Sequence, residues 1–215
     1  MLAYAKLMQC RGDLSNTNLP YIDPAHPVQK EILNTFAEMC GVPVEHVAEG
    51  IDGCSAPNFA IPLHSAALGF ACLSDPVAGG VRPEARVAAC HTISAAMMSH
   101  PDMVGGPGRF DTRLMELKRA WIISKGGAEG YQGIGLLPGA IRPGSPAMGI
   151  ALKIADGDSR QLVRGAVSLE VLRQLHALNE AELVALGDIG PCLPIYNLRK
   201  IDVGYSRPVF QLNWA

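Results

Sequence analysis

No apolar run in the 215-residue chain approaches the ~18–20 residues that a membrane span needs. The opening Met-Leu-Ala-Tyr-Ala-Lys has no basic segment leading into a long apolar stretch, so it does not read as a secretory signal. Charge of one sign is also missing. Lys and Arg number 18 against 20 Asp and Glu, a net −2, which argues against a nucleic-acid groove or an anionic membrane surface as partner. No two of the six cysteines (Cys10, Cys40, Cys54, Cys72, Cys90 and Cys192) stand at Cys-x-x-Cys spacing. Most lie in apolar helical patterns, so reduced, mostly buried thiols of a cytoplasmic protein are expected. Disorder is excluded by composition: 48% of residues are hydrophobic and only 18% charged.

Several catalytic devices are absent as well. There is no phosphate-binding glycine loop ending in Lys-Ser/Thr. The pair Gly133-x-Gly135 runs into Leu136-Leu137-Pro138, which gives it no helix N-terminus to hold an anion. No serine stands in Gly-x-Ser-x-Gly, and none is followed three residues later by lysine. The Ser-x-x-Lys arrangement, in which an amine activates a hydroxyl, is therefore not in these residues.

Glycine (23) and proline (16) run above the usual share, which predicts many tight loops between short elements. The first ten residues read as a helix with no capping residue before it, as if Met1 enters a helix already under way. A loop follows from Arg11 to Pro27. Pro27 suits the first position of a second helix, in which Val28, Ile32, Phe36 and Met39 recur at helical spacing and Gly41 is the stop. An extended piece at 47–51 leads into Asp52-Gly53-Cys54. Helices are predicted at 62–73 and 83–99, both apolar almost all round and so assigned to a core between layers. Residues 101–110 read as loop and 111–118 as a short helix. Strands at 120–125, 131–137 and 147–155 are separated by Gly and Pro clusters, as in an antiparallel meander. Asp158 with Gln161 resembles a capping box for a helix at 159–177, with Leu162, Ala166, Leu169, Leu172 and Leu175 as its apolar stripe. A last strand is expected within Val203 to Trp214. This order predicts an α/β (α+β) fold, an antiparallel sheet with buried helices.

Four clusters carry candidate chemistry. Tyr21 to Gln29 is either a site or a Pro-locked turn that starts a helix. In Asp52-Gly53-Cys54-Ser55-Ala56-Pro57, a carboxylate two residues from a thiol could present a metal site or a polarised thiolate, or Cys54 could be a buried structural residue. In Lys125-Gly126-Gly127-Ala128-Glu129-Gly130, a lysine at a strand end could project into a cleft while bare backbone approaches a ligand, or the segment could be a hairpin turn with a solvated lysine. His100 to Thr112 could be a cover loop or an ordinary connection. His64 and His91, on apolar helices, read as hydrogen-bonded core residues. Taken singly, none of these clusters names a reaction; the thiol-plus-carboxylate turn and the Lys-Gly-Gly strand end would together fit amide or acyl hydrolysis, and equally a small-ligand binding module.

Together and in this order they are more specific. Asp23-Pro-x-His26-Pro-Val-Gln29, Asp52-Gly-Cys54-x-x-Pro57, His100-Pro-x-Met-Val, Gly108-Arg-Phe-Asp-Thr112, Lys125-Gly-Gly-Ala-Glu-Gly130 and Gly149-Ile-Ala-Leu-Lys153 resemble the asparaginase II family along essentially the whole chain. The resemblance implies a serine β-lactamase/penicillin-binding-protein-like fold, a single domain over 1–215, and hydrolysis of L-asparagine to L-aspartate and ammonia. It implies that Lys125 is catalytic, facing the nucleophile where β-lactamases have Lys-Thr-Gly, that Asp52 sits either behind the zinc ligands or at the substrate's amino group as a substrate-binding residue, and that Glu129 binds substrate. Cys54 would be a zinc ligand, and the chain would form a homodimer, with neither nucleic acid nor membrane as partner. The same resemblance expects a Cys-Ser-Gly-Lys-His block directly before Met1, with the serine nucleophile and its lysine further upstream. On that expectation this is a partial, N-terminally truncated domain with exposed apolar surface. Zinc would bind weakly or not at all, and turnover would be weak or absent. The alternative is a non-catalytic chain that binds a small amino acid or docks on a homologue.

Overall fold

The computed structural model describes residues 2–10, 19–158 and 162–213, with the backbone alone at Cys10. The chain divides into two compact units, Met1–Ser65 and Ala66–Ala215. The expected loop at 11–18, the predicted helix start at 159–161 with the Gln161 half of its capping box, and Trp214 lie outside the described residues.

In the first unit, helix α1 spans Leu2–Cys10 and helix α2 spans Pro27–Cys40. Pro27 opens α2, His26 caps it by accepting the Val28 N–H on Nδ1 at 3.1 Å, and Gly41 closes it at φ 62°. A left-handed cap of this kind costs glycine no Cβ clash. A single 3-10 turn at Val44–His46 leads to strand β1 (Ala48–Ile51), which pairs antiparallel with β2 (Pro57–Ala60). The Phe36 and Phe59 rings, 5.0 Å apart and tilted by 37°, join α2 to this hairpin. Strand β2 was not foreseen, since four residues opening on proline give little strand signal.

The second unit is built on the predicted meander: β3 (Ile122–Gly126), β4 (Tyr131–Leu136) and β5 (Met148–Lys153), in the order β3-β4-β5 and antiparallel throughout. Helices α3 (Leu63–Ser74) and α4 (Glu84–Ser99) precede it, followed by α5 (Pro101–Gly105) and α6 (Phe110–Leu117). Helices α7 (Leu162–Gln174) and α8 (Glu180–Ala185) and the hairpin β6 (Leu193–Tyr196) with β7 (Asp202–Ser206) come after it. Eight helices and three small antiparallel sheets among the described residues make this the expected α+β class.

Alternation along the strands gives the sheet two faces. Ile122, Ile134 and Leu136 lie on one, packed in a core with Phe110 and Leu114 of α6, Leu169 and Leu172 of α7, and Leu183 of α8. Each fully buried Leu or Ile there contributes roughly 1.5–3 kcal/mol. On the other face, Gly133, Gly135 and Gly149 bring α3 onto the sheet. A Cβ on them would collide with Phe70, Ser74 and the Ala67 carbonyl respectively. These glycines are packing contacts.

Several expectations change. Helix α4 is not a core helix, because it buries only Cys90 and Ser94 and leaves Ile93 50% exposed. Five of its sixteen residues are alanine, which is apolar in pattern but offers little area to bury. His64, in the first turn of α3, and His91 on α4 are both exposed, not hydrogen-bonded core residues. The 101–110 segment contains α5, which Pro101 opens and Gly106, at φ 89°, closes. The stripe of α7 starts at Ala166, with Leu162 40% exposed. The capping role of Asp158 is present: its carboxylate accepts the N–H groups of Leu162 (3.2 Å) and Arg164 (2.7 Å). The last strand stops at Ser206 because Pro208 has no N–H to give a ladder. Beyond it, Gln174 of α7 ties the chain down, donating to the Phe210 carbonyl and accepting the Leu212 N–H. Cys40, Cys72 and Cys90 are buried, while Cys54 and Cys192 are exposed. Burial pushes the Cys72 and Cys90 thiols up. No helix among the described residues is long and apolar enough to cross a membrane.

Candidate functional site

Lys125 stands one residue before the end of β3, and its register partner is Gly133. It therefore faces the α3 side of the sheet, where Phe70 packs directly on the Gly133 backbone. The side chain is exposed, and its ammonium donates to the Gly126 carbonyl at 2.6 Å. The loop that follows turns through Glu129 (φ 53°) and Gly130 (φ 75°), and Glu129 is exposed. Lys125 and Glu129 thus share one loop.

Distant groups hold that loop. The Lys153 ammonium donates to the carbonyls of Ala128 and Glu129. Arg164 Nη1 lies 3.3 Å from the Gly127 carbonyl oxygen and 3.4 Å from that of Tyr131. The Ile154 N–H donates to the Gly130 carbonyl. On the face opposite Lys125, the Asp111 carboxylate accepts from Ser124 Oγ (2.6 Å), from Gln132 Nε2 (2.8 Å) and from the Gly126 N–H (2.8 Å). Asp111 is 5% exposed, Ser124 and Gln132 are fully buried, and Arg164 is 8% exposed. Gln132 Oε1 and Arg164 Nε are buried without a hydrogen-bond partner among the described residues. Sequence reasoning singled out neither Ser124 nor Gln132 nor Arg164, and Asp111 only as part of a motif. The available signal was polar residues at inward positions of strands that are otherwise apolar on that face.

Asp52 and Cys54 lie in the first unit, in the turn between β1 and β2, and both are exposed. Asp52 Oδ1 accepts the Cys54 N–H at 2.8 Å and the Asp52 carbonyl accepts the Ser55 N–H, so one carboxylate oxygen is engaged in its own turn. Cys54 is not the buried residue of the structural reading. Among the described residues no group of three or more His, Cys, Asp or Glu could hold a metal ion. Zinc needs at least three protein ligands. Cys54 and Asp52 offer two, and the second is engaged by backbone, so the described residues do not by themselves fit a zinc centre.

The remaining clusters have structural explanations. In Tyr21 to Gln29, Asp23 caps the turn at Ala25, His26 caps α2, and Gln29 donates to the Tyr21 carbonyl at 2.7 Å. This is the Pro-locked helix start. In His100 to Thr112, the Thr112 hydroxyl is shared by the carbonyls of Pro101 and Gly106, which fastens α5 to α6.

No curated protein matches the chain. The L-asparaginase II family matches it over residues 1–208, nearly its whole length, and the chain belongs to that family.

Proposed function

We propose that the chain serves the hydrolysis of L-asparagine, in which water is added across the side-chain amide to leave L-aspartate and ammonia. Family membership over residues 1–208 is the observation that carries this reading. The Lys125 strand end supports it. An exposed ammonium group stands beside a loop that Asp111, Lys153 and Arg164 hold, a preorganised positive charge for a carboxylate or a developing oxyanion. Glu129, on the same loop, is the acceptor for the substrate's ammonium group.

A second reading, binding of a small amino acid with little or no turnover, is favoured by a specific observation. No serine precedes a lysine by three residues. Ser124, the neighbour of Lys125, faces away and donates to Asp111. Ammonia release from L-asparagine separates the two, measured on the purified chain with and without added zinc. Slow release that falls at least ~10-fold in Lys125→Ala supports the hydrolase. Release that Lys125→Ala leaves unchanged rejects the role of Lys125. No release at all leaves the binding reading, which then requires L-aspartate to stabilise the chain. The roles that the resemblance gives Asp52 and Cys54 are tested separately, by their own alanine variants.

A further inference from the structure

We infer that Asp111 is the positioning residue of Lys125. This deepens the amidohydrolase reading and rests on it. Lys125 is followed by two glycines, the sequence least able to hold a backbone still. It also sits on β3, which ends the order β3-β4-β5. The Gly127 N–H is turned toward β4, where it meets the Tyr131 carbonyl. Alternation then turns the Gly126 N–H to the outer edge of β3, where no strand among the described residues receives it.

Asp111 Oδ2 receives it, and Oδ1 of the same carboxylate receives the Ser124 hydroxyl. One buried side chain therefore grips both neighbours of Lys125, the residue before by its side chain and the residue after by its backbone. The carboxylate lies in the first turn of α6, inside a block of buried residues, so its origin is fixed by the core. At 5% exposure, water does not compete for its bonds. Gln132 Nε2 donates to Oδ1 from β4 and locks the register of the two strands at this point. With the pleat fixed at 124 and 126, the Lys125 side chain has one face to occupy, the one opposite Asp111.

Trypsin reads this bond directly, because its cleavage after Lys125 breaks the peptide whose N–H Asp111 holds. In Asp111→Ala, cleavage at Lys125–Gly126 should rise at least ~10-fold, while cleavage after Lys118 and Arg173 stays within about 2-fold. Ammonia release should lose ~10–100-fold in kcat/KM. Asp111→Asn, which keeps one carbonyl acceptor in the same place, should restore most of both. If Asp111→Ala does not fold, hydrogen exchange in the unaltered chain decides. The Gly126 amide should be protected at least ~100-fold, and an unprotected amide overturns the assignment. Unchanged cleavage at Lys125–Gly126 overturns it as well. So does a rise at all three sites together, which would make Asp111 a support of the whole fold. Should the wild-type chain release no ammonia, the hydrolase reading falls, while the cleavage pattern still decides whether Asp111 fixes the Lys125 peptide.

Discussion

The turn at Asp52 and Cys54 and the loop at Lys125 and Glu129 both join antiparallel strands, yet different parts of the chain hold them. The first is closed by its own atoms, with Asp52 bonded to backbone two and three residues ahead. The second is closed by Asp111, Lys153 and Arg164, residues that lie 15 to 37 positions away from the groups they hold. A locally closed turn forms wherever its few residues are. A loop held at long range is ordered only when the sheet and its helices are already in place, and it inherits their rigidity. Such a loop suits a charge that must be aimed.

The contrast is broken most severely by disturbing the scaffold. In Gly149→Val the new side chain would overlap the Ala67 backbone, which cannot yield as a side chain could. The expected cost is about 4 kcal/mol or more, measured by urea unfolding. A Cβ at Gly53, in the other turn, meets nothing within 4 Å, so Gly53→Ala should stay within about 0.5 kcal/mol. Similar costs for the two would contradict the packing described for α3.

A smaller effect is expected at α8, where Asn179 and Glu182 form a reciprocal capping box. Asn179→Ala should cost about 1 kcal/mol, seen as a lower urea midpoint at unchanged slope.

The smallest concerns pH. Hydrogen bonding from Arg173 holds the Glu170 carboxyl below the usual range, against an opposing desolvation, with a further bond from Gln174. A carboxyl lowered in the folded state stabilises it above the unfolded pKa, roughly 4.3, and loses that contribution as pH falls through the folded value. Arg173 is 45% exposed, so the effect is screened to about 0.5 kcal/mol. Between neutral pH and pH ~3, wild type should lose that much more stability than Glu170→Gln in thermal unfolding.

What the sequence revealed follows from range. The meander, the start and stop of α2, and the helices at 63–74 and 84–99 were legible because spacing, proline and glycine act within a few residues. Helix α8 was legible in principle, since Asn179 and Glu182 stand at capping-box spacing, but it is short and was passed over. The paired grip on Lys125 was not legible. Asp111, Ser124, Gln132 and Arg164 come from four elements, and nothing local marks them as neighbours. Gly133-x-Gly135 has no helix N-terminus to serve a phosphate, and its use against Phe70 and Ser74 depends on the packing of α3, which no local pattern marks. Pattern also misled at α4, where an alanine-rich perimeter reads as core and is largely solvent.

The central claim is that Lys125 presents a fixed positive charge to the carboxylates of an amino-acid amide and its acid product. Calorimetric titration of L-aspartate tests it most directly, because binding does not depend on turnover. The account predicts saturable binding to the wild-type chain, weakened at least ~10-fold in Lys125→Ala. Equal affinity in the two chains, or no binding to the wild type, would contradict it.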